Sequence, residues 1–137
     1  MNPPCELTVR LLLPALRTLV AKDLAKNYGW TQTKIAKRLG VTQAAVSGYL
    51  TQDIYMAVPP SFTAEEMMGI AKSITAKIAK KKLSHADLVN NICEICLGLR
   101  RGGAICHAHK MKFTELEEER CTVCMQLHMS LADISPT

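Results

Sequence analysis

The sequence predicts an all-α protein built in two parts, and three observations carry that prediction. Apolar residues recur at helical spacing along most of the chain. Segments with the period of a strand are nearly absent. Five of the six cysteines fall in the last third, where they mark a second, cysteine-rich helical unit. The boundary is expected near Pro59 and Pro60, dividing residues 1–58 from residues 59–137.

Residues 31–50 read as two short helices joined by a tight turn. Thr31 is a suitable N-cap, and Ile35, Ala36 and Leu39 give the first helix an apolar face. Gly40 stops it, because glycine takes the left-handed conformation without strain. Val41 plugs the turn, Thr42 caps the second helix, and Val46, Tyr49 and Leu50 form its buried side. Ala36 is small where the helices cross. Small residue, glycine and plugs fall in the register of a DNA-binding helix-turn-helix. The competing reading is an ordinary helical hairpin inside an all-α core.

The second helix would then present Thr42, Gln43, Ala44, Ser47, Gly48 and Thr51 outward. Gln43 can bond adenine bidentately in the major groove, and Ala44 offers a methyl to thymine. Gly48 lets a backbone come close. Gln32, Thr33, Lys34, Lys37 and Arg38 on the first helix, with Arg10 nearer the terminus, are candidates for phosphate contact.

With 137 residues, 48% of them hydrophobic but only 4% aromatic, the chain can fill a core with aliphatic side chains. No apolar run reaches the ~18 residues a membrane span needs. The opening Met1-Asn2-Pro3-Pro4-Cys5-Glu6 lacks a basic region ahead of an apolar one, so a cytoplasmic protein is expected. Net charge is +5, distributed as +4 over residues 1–60, +2 over 61–90 and −1 over 91–137. Positive charge thus accompanies the two short helices, as nucleic-acid binding requires.

Taken in order, residues 1–6 are expected to be an extended arm, because Pro3 and Pro4 disfavour a helix. Residues 7–28 read as a helix with Leu12, Leu16, Leu19, Val20 and Leu24 on one face, kinked or restarted at Pro14. Gly29 ends it, and Trp30 is expected beneath the two short helices. Ile54, Tyr55, Met56 and Val58 should pack against the same unit. Thr63 and Glu66 form a capping box for a helix whose stripe, Met67, Ile70, Ala71, Ile74 and Ile78, is a candidate dimer seam. Lys80, Lys81 and Lys82 suit its C-terminal end. Ser84 caps a further helix bearing Leu88, Val89, Ile92, Ile95 and Leu99, ended by Gly102 and Gly103. Thr114 and Glu117 open the last, with Leu116, Val123, Leu127 and Leu131.

Cys93, Cys96, Cys106, Cys121 and Cys124 follow the pattern C-x2-C-x9-C-x14-C-x2-C, with His107, His109 and His128 close by. The two C-x2-C pairs are expected on helices, with Cys106 on the loop between them. Grouped thiolates bind zinc or an iron–sulfur cluster, and disulfides or a thiol switch are the alternative. Cys5 stands apart on the arm.

Pro-Pro-Cys-Glu at 3–6, Leu-Pro-Ala-Leu-Arg at 13–17, Gln-Ala-Ala-Val-Ser at 43–47, Cys-Glu-Ile-Cys at 93–96 and Cys-Thr-Val-Cys at 121–124 together resemble a family of archaeal helix-turn-helix transcriptional regulators. The resemblance spans nearly the whole chain and implies a DNA-binding transcription factor. The expectation is a homodimeric repressor that binds an inverted repeat in double-stranded DNA and responds to redox state or metal. It is not an enzyme, since no nucleophile–base pairing or phosphate loop is present, and no membrane or small-molecule substrate is implied. The rival is a metal-stabilised helical adaptor using the same pair of helices for protein contacts.

Overall fold

A computed structural model describes residues 3–80 and 83–125 of the chain, and every described element is helical. Lys81, Lys82, Leu127, His128 and Leu131 lie outside the described residues. No helix among the described residues is long and apolar enough to cross a membrane.

The helix nearest the centre, α2 (Leu13–Tyr28), follows a short α1 (Pro4–Leu7) and a wide π-helical turn (Thr8–Leu12). The arm is therefore helical where an extended segment was expected. Pro4 occupies the first helical position, where a missing N–H costs nothing, and Leu7 is buried. The π turn explains how Pro14 is accommodated. Its ring would collide with a carbonyl one α-turn back, and the wider backbone there relieves the clash. The Leu13 amide returns to the Thr8 carbonyl across that turn.

Thr18, Leu19, Val20 and Ala21 are consecutive and all buried, so α2 is covered on every side along this stretch. Its cover comes from α3 (Gln32–Leu39), α4 (Gln43–Thr51), α5 (Ile54–Ala57) and α6 (Ala64–Lys80). Gly29, at φ 65°, turns the chain out of α2, and the Leu24 carbonyl receives both the Gly29 and Trp30 amides.

Helix α6 opens on the expected capping box. The Thr63 amide donates to Glu66 Oε2 at 2.9 Å and the Glu66 amide to Thr63 Oγ1 at 3.1 Å. Its stripe is not a free seam. Met67, Ala71, Ile74 and Ile78 are buried inside this one chain, mainly against α2. The core is thus continuous across residue 58, drawing Leu16 and Leu24 from one side and Met67 and Ala71 from the other.

Helix α7 (His85–Arg101) begins with a reciprocal Ser84–Asp87 capping box and gives way at Gly102 and Gly103 to α8 (Ala104–Lys112), which carries Cys106 where a loop is expected. Gly103, at φ 84°, makes the sharp turn. The last helix among the described residues, α9 (Thr114–Glu118), is only one turn long. Cys121 and Cys124 follow it in a turn rather than on a helix, and Arg120 precedes them with φ 53°. Helix α5 is capped by Asp53; Ile54 and Val58, the residue just past its end, pack inward, while Tyr55 and Met56 face solvent.

Because Leu19 is fully buried at the middle of α2, Leu19→Ala should destabilise the protein by about 2–5 kcal/mol. Met56→Ala, on the surface, should change stability by no more than ~0.5 kcal/mol. Denaturant unfolding of both variants checks the contrast.

Candidate nucleic-acid interface

Helices α3 and α4 meet through a turn built as the sequence suggests. Thr31 Oγ1 accepts from the Lys34 amide at 3.2 Å, and Thr42 Oγ1 accepts from the Ala45 amide at 3.1 Å. Gly40 has φ 67°, and the Val41 amide returns to the Ala36 carbonyl at 3.1 Å, closing α3 with a Schellman-type bond. Ile35 and Val46 are fully buried, Ala36 nearly so, and Val41, Tyr49 and Leu50 pack partly against the core.

Two polar ties fix the end of α4 to α2. Lys22 Nζ donates to the Leu50 carbonyl at 3.0 Å, and Thr18 Oγ1 donates to Gln52 Oε1 at 3.3 Å. With one face held, Gln43, Ala44, Ser47, Gly48 and Thr51 are left exposed. Thr42 is exposed too, but its hydroxyl is engaged as a cap. Thr51 shares its hydroxyl proton between the Ser47 and Gly48 carbonyls, at 3.3 and 3.1 Å, so it is less available than sequence reading expects. A Cβ built on Gly48 would meet nothing within 4 Å. That position therefore needs no glycine for the protein's own packing.

The cations divide. Lys37 is exposed, as are Thr33 and Lys34, while Gln32 is half-buried. Lys34 lies over the Trp30 ring, Nζ 3.9 Å from its centroid, which holds the ammonium beside the turn that starts α3. Arg38 departs from the expectation of a solvated, phosphate-facing side chain. It is half-buried, its guanidinium lies near enough to Asp87 at the start of α7 to favour that carboxylate, and its buried Nη2 has no hydrogen-bond partner. Arg10 is exposed but sits with Glu6, Lys112 and Phe113, in a hollow to which α3 and α4 contribute nothing.

The thiols do not share one environment. Cys5 lies 3.7 Å from Arg100 Nη1, and Cys96 Sγ is 3.5 Å from Thr8 Oγ1. Cys93 is exposed on α7 beside Arg17 and Leu16 of α2. Cys106 and Cys124 are buried and Cys121 half-buried. Burial pushes the Cys106 thiol up from its ordinary pKa, and the neighbouring Cys124, Cys121 and Glu117 add to that against the opposing pull of Lys110. Lys110 also pairs with Glu117 at 3.2 Å, tying α8 to α9. His109, three residues after Cys106, is on the same side of α8, buried edge-on to Phe113 with ring centroids 5.4 Å apart. It is not among the five expected ligands, although its C-x2-H spacing from Cys106 is visible in the sequence. All six thiols are unpaired, and among the described residues no three His, Cys, Asp or Glu side chains are set to hold a metal ion. Zinc and iron–sulfur binding remain expectations from spacing.

Asp87 shows the opposite electrostatics. Hydrogen bonds from Ser84, first from its side chain and then from its backbone amide, hold the carboxyl below its ordinary value. A depressed carboxylate stabilises the fold above its unfolded pKa and loses that contribution as pH falls through the folded value.

The thiols yield a direct test. Thiolate fraction and access set alkylation rate, so iodoacetamide at about pH 8 should modify exposed Cys5 and Cys93 first and Cys106 and Cys124 last. Mass-spectrometric mapping of a time course reads the order, and early labelling of Cys106 would contradict this packing. No known protein family, no curated protein and no solved structure matches this chain.

Proposed function

We propose that the chain is a sequence-specific DNA-binding transcriptional regulator in which α4 is the recognition helix of a helix-turn-helix and acts as part of a homodimer. The observation that carries this reading is the division of α4 into two faces. Val46 is fully buried on one, while Gln43, Ala44, Ser47 and Gly48 lie exposed on the other. Small and amide-bearing side chains on an exposed helix suit the major groove, where shape admits a helix and glutamine can bond adenine. The open space at Gly48 supports the same reading, since a glycine the fold does not need suits close approach by something outside it. Lys37 and Lys34 on α3 supply the cations for the phosphate backbone.

A second reading, a helical adaptor, has one observation in its favour. Tyr55 and Met56, 81% and 80% exposed, stand just past α4, and an exposed aromatic–methionine pair suits a protein partner. Salt separates the two readings, because phosphate contacts release counterions and protein contacts of this apolar kind do not.

Three variants test the proposal. Gln43→Ala should cost about 1–3 kcal/mol at the preferred site and relax discrimination at one base pair. Gly48→Ala should hold or raise thermal stability by about 0.5–1 kcal/mol, since alanine favours a helix, while weakening DNA binding. Lys37→Ala should weaken all sequences alike and lower the salt slope by about one. Gel shifts at several salt concentrations, with unfolding curves of the same proteins, give every quantity. Unchanged operator affinity in both α4 variants would remove α4 from the interface.

A further inference from the structure

Two of the thiols are buried outside the core. Cys106 and Cys124 are buried, yet neither belongs to the continuous apolar cluster, whereas Cys96 packs against it. On α8, Ile105 and Ala108 turn to that cluster, and Cys106 and His109, one position further on in each case, share the neighbouring face. His107, between them, is exposed. Apolar burial does not account for Cys124. From residue 113 to residue 125 it is the one buried residue, while the flanking Val123 and Met125 are 59% and 44% exposed. A turn seeking apolar cover would bury valine and methionine, which remove more apolar area from water than cysteine does. This turn buries the thiol instead. It lies close to Cys106, whose thiol is raised by the charges of both Cys124 and Cys121. Little else holds it there: α9 is one turn long, and Lys110 pairs with Glu117 at 3.2 Å.

We propose that Cys106, His109, Cys121 and Cys124 form a structural zinc site, and that Cys93 and Cys96 are not ligands. The order is C-x2-H-x11-C-x2-C, two donor pairs, each with the short spacing that lets near neighbours grip one ion. Three thiolates and one imidazole complete the tetrahedral shell of structural zinc, whereas an iron–sulfur cluster is held by four cysteines. The thiols bind as thiolates and the imidazole binds neutral, so binding sends the thiol protons to solvent. Four protein donors leave no open position, which makes the site a staple rather than a catalytic centre. It fastens the 121–124 turn and α9 to α8, where so little apolar surface is buried. The donors border one corner of the molecule without being set around a common point. The turn stands outside any helix, so it can close on Cys106 and His109 without unwinding one. In structural zinc sites, binding and local folding are one event. Cys93 is exposed beside Arg17, Cys96 packs on the core next to Thr8, and neither is among the groups that act on Cys106. The site does not depend on the DNA reading, and its test contains no DNA.

The experiment measures zinc bound by the full chain, purified under reducing conditions with zinc supplied, and follows folding by circular dichroism. One zinc per chain is expected. A protein carrying Cys93→Ser and Cys96→Ser should keep it. Cys106→Ser, His109→Ala and Cys124→Ser should each weaken zinc binding at least about tenfold, the loss that even supporting groups around a metal can cause. His109→Cys restores a fourth donor and should bind zinc again. In the wild type, a chelator should speed alkylation of Cys106, Cys121 and Cys124 while leaving Cys5 and Cys93 unchanged, a readout that needs no variant to fold. A chain without bound zinc, zinc lost with the Cys93→Ser and Cys96→Ser pair, full retention in Cys124→Ser, or the absorption of an iron–sulfur cluster would overturn the site.

Discussion

The structure depends on the burial of the middle of α2, from Ala15 to Leu24, where Arg17 and Lys22 alone are half-buried. Leu16, Leu19, Leu24 and the small residues Ala15 and Ala21 leave almost no exposed surface on its middle turns. A helix covered on all sides must have neighbours all round it, and α4 and α6 are the two that cover most. The small residues allow close approach, and the leucines fill the volume that remains. This constraint ties the two halves of the chain together. It also decides where α6 spends its apolar stripe, which is inside the molecule.

The same constraint positions the proposed reading surface. Val46 is drawn into the core, and Lys22 and Thr18 on α2 hold the C-terminal end of α4 through Leu50 and Gln52. With one face spoken for, the orientation of the other is fixed. Gln43 and Gly48 are presented by a rigid support rather than by a loose helix, and a rigid support is what precise recognition needs. Electrostatics follows the same division. Lys37 stays outward, whereas Arg38 is half-buried, so the cations of α3 are not equivalent.

Much of this was legible in the sequence because it is local. Thr31, Gly40, Thr42 and the capping boxes at Thr63 and Ser84 act within a few residues of themselves, so spacing alone locates them. The face Leu12, Leu16, Leu19, Val20 and Leu24 is equally direct, since all five are buried. What spacing could not supply was the partner of each face. The Met67–Ile78 stripe looks the same whether it meets α2 or a second chain. Proline rules misjudged the terminus, because they forbid a helix interior but not a helix start, and Pro4 sits at a start. Gly102 and Gly103 suggested a loop, although Gly103 in the left-handed region is a helix boundary that leads straight into α8. The C-x2-C at 121–124 reads as helical spacing but stands in a turn.

The central claim is that α4 reads DNA sequence from a dimeric scaffold. Selection of the full chain against random duplexes, followed by a salt titration on the enriched site, tests it most directly. The account predicts an inverted repeat with half-sites about 10 base pairs, or a multiple of that, apart, and an affinity that falls steeply as salt rises. Failure to enrich any sequence, together with an affinity indifferent to salt, would contradict it.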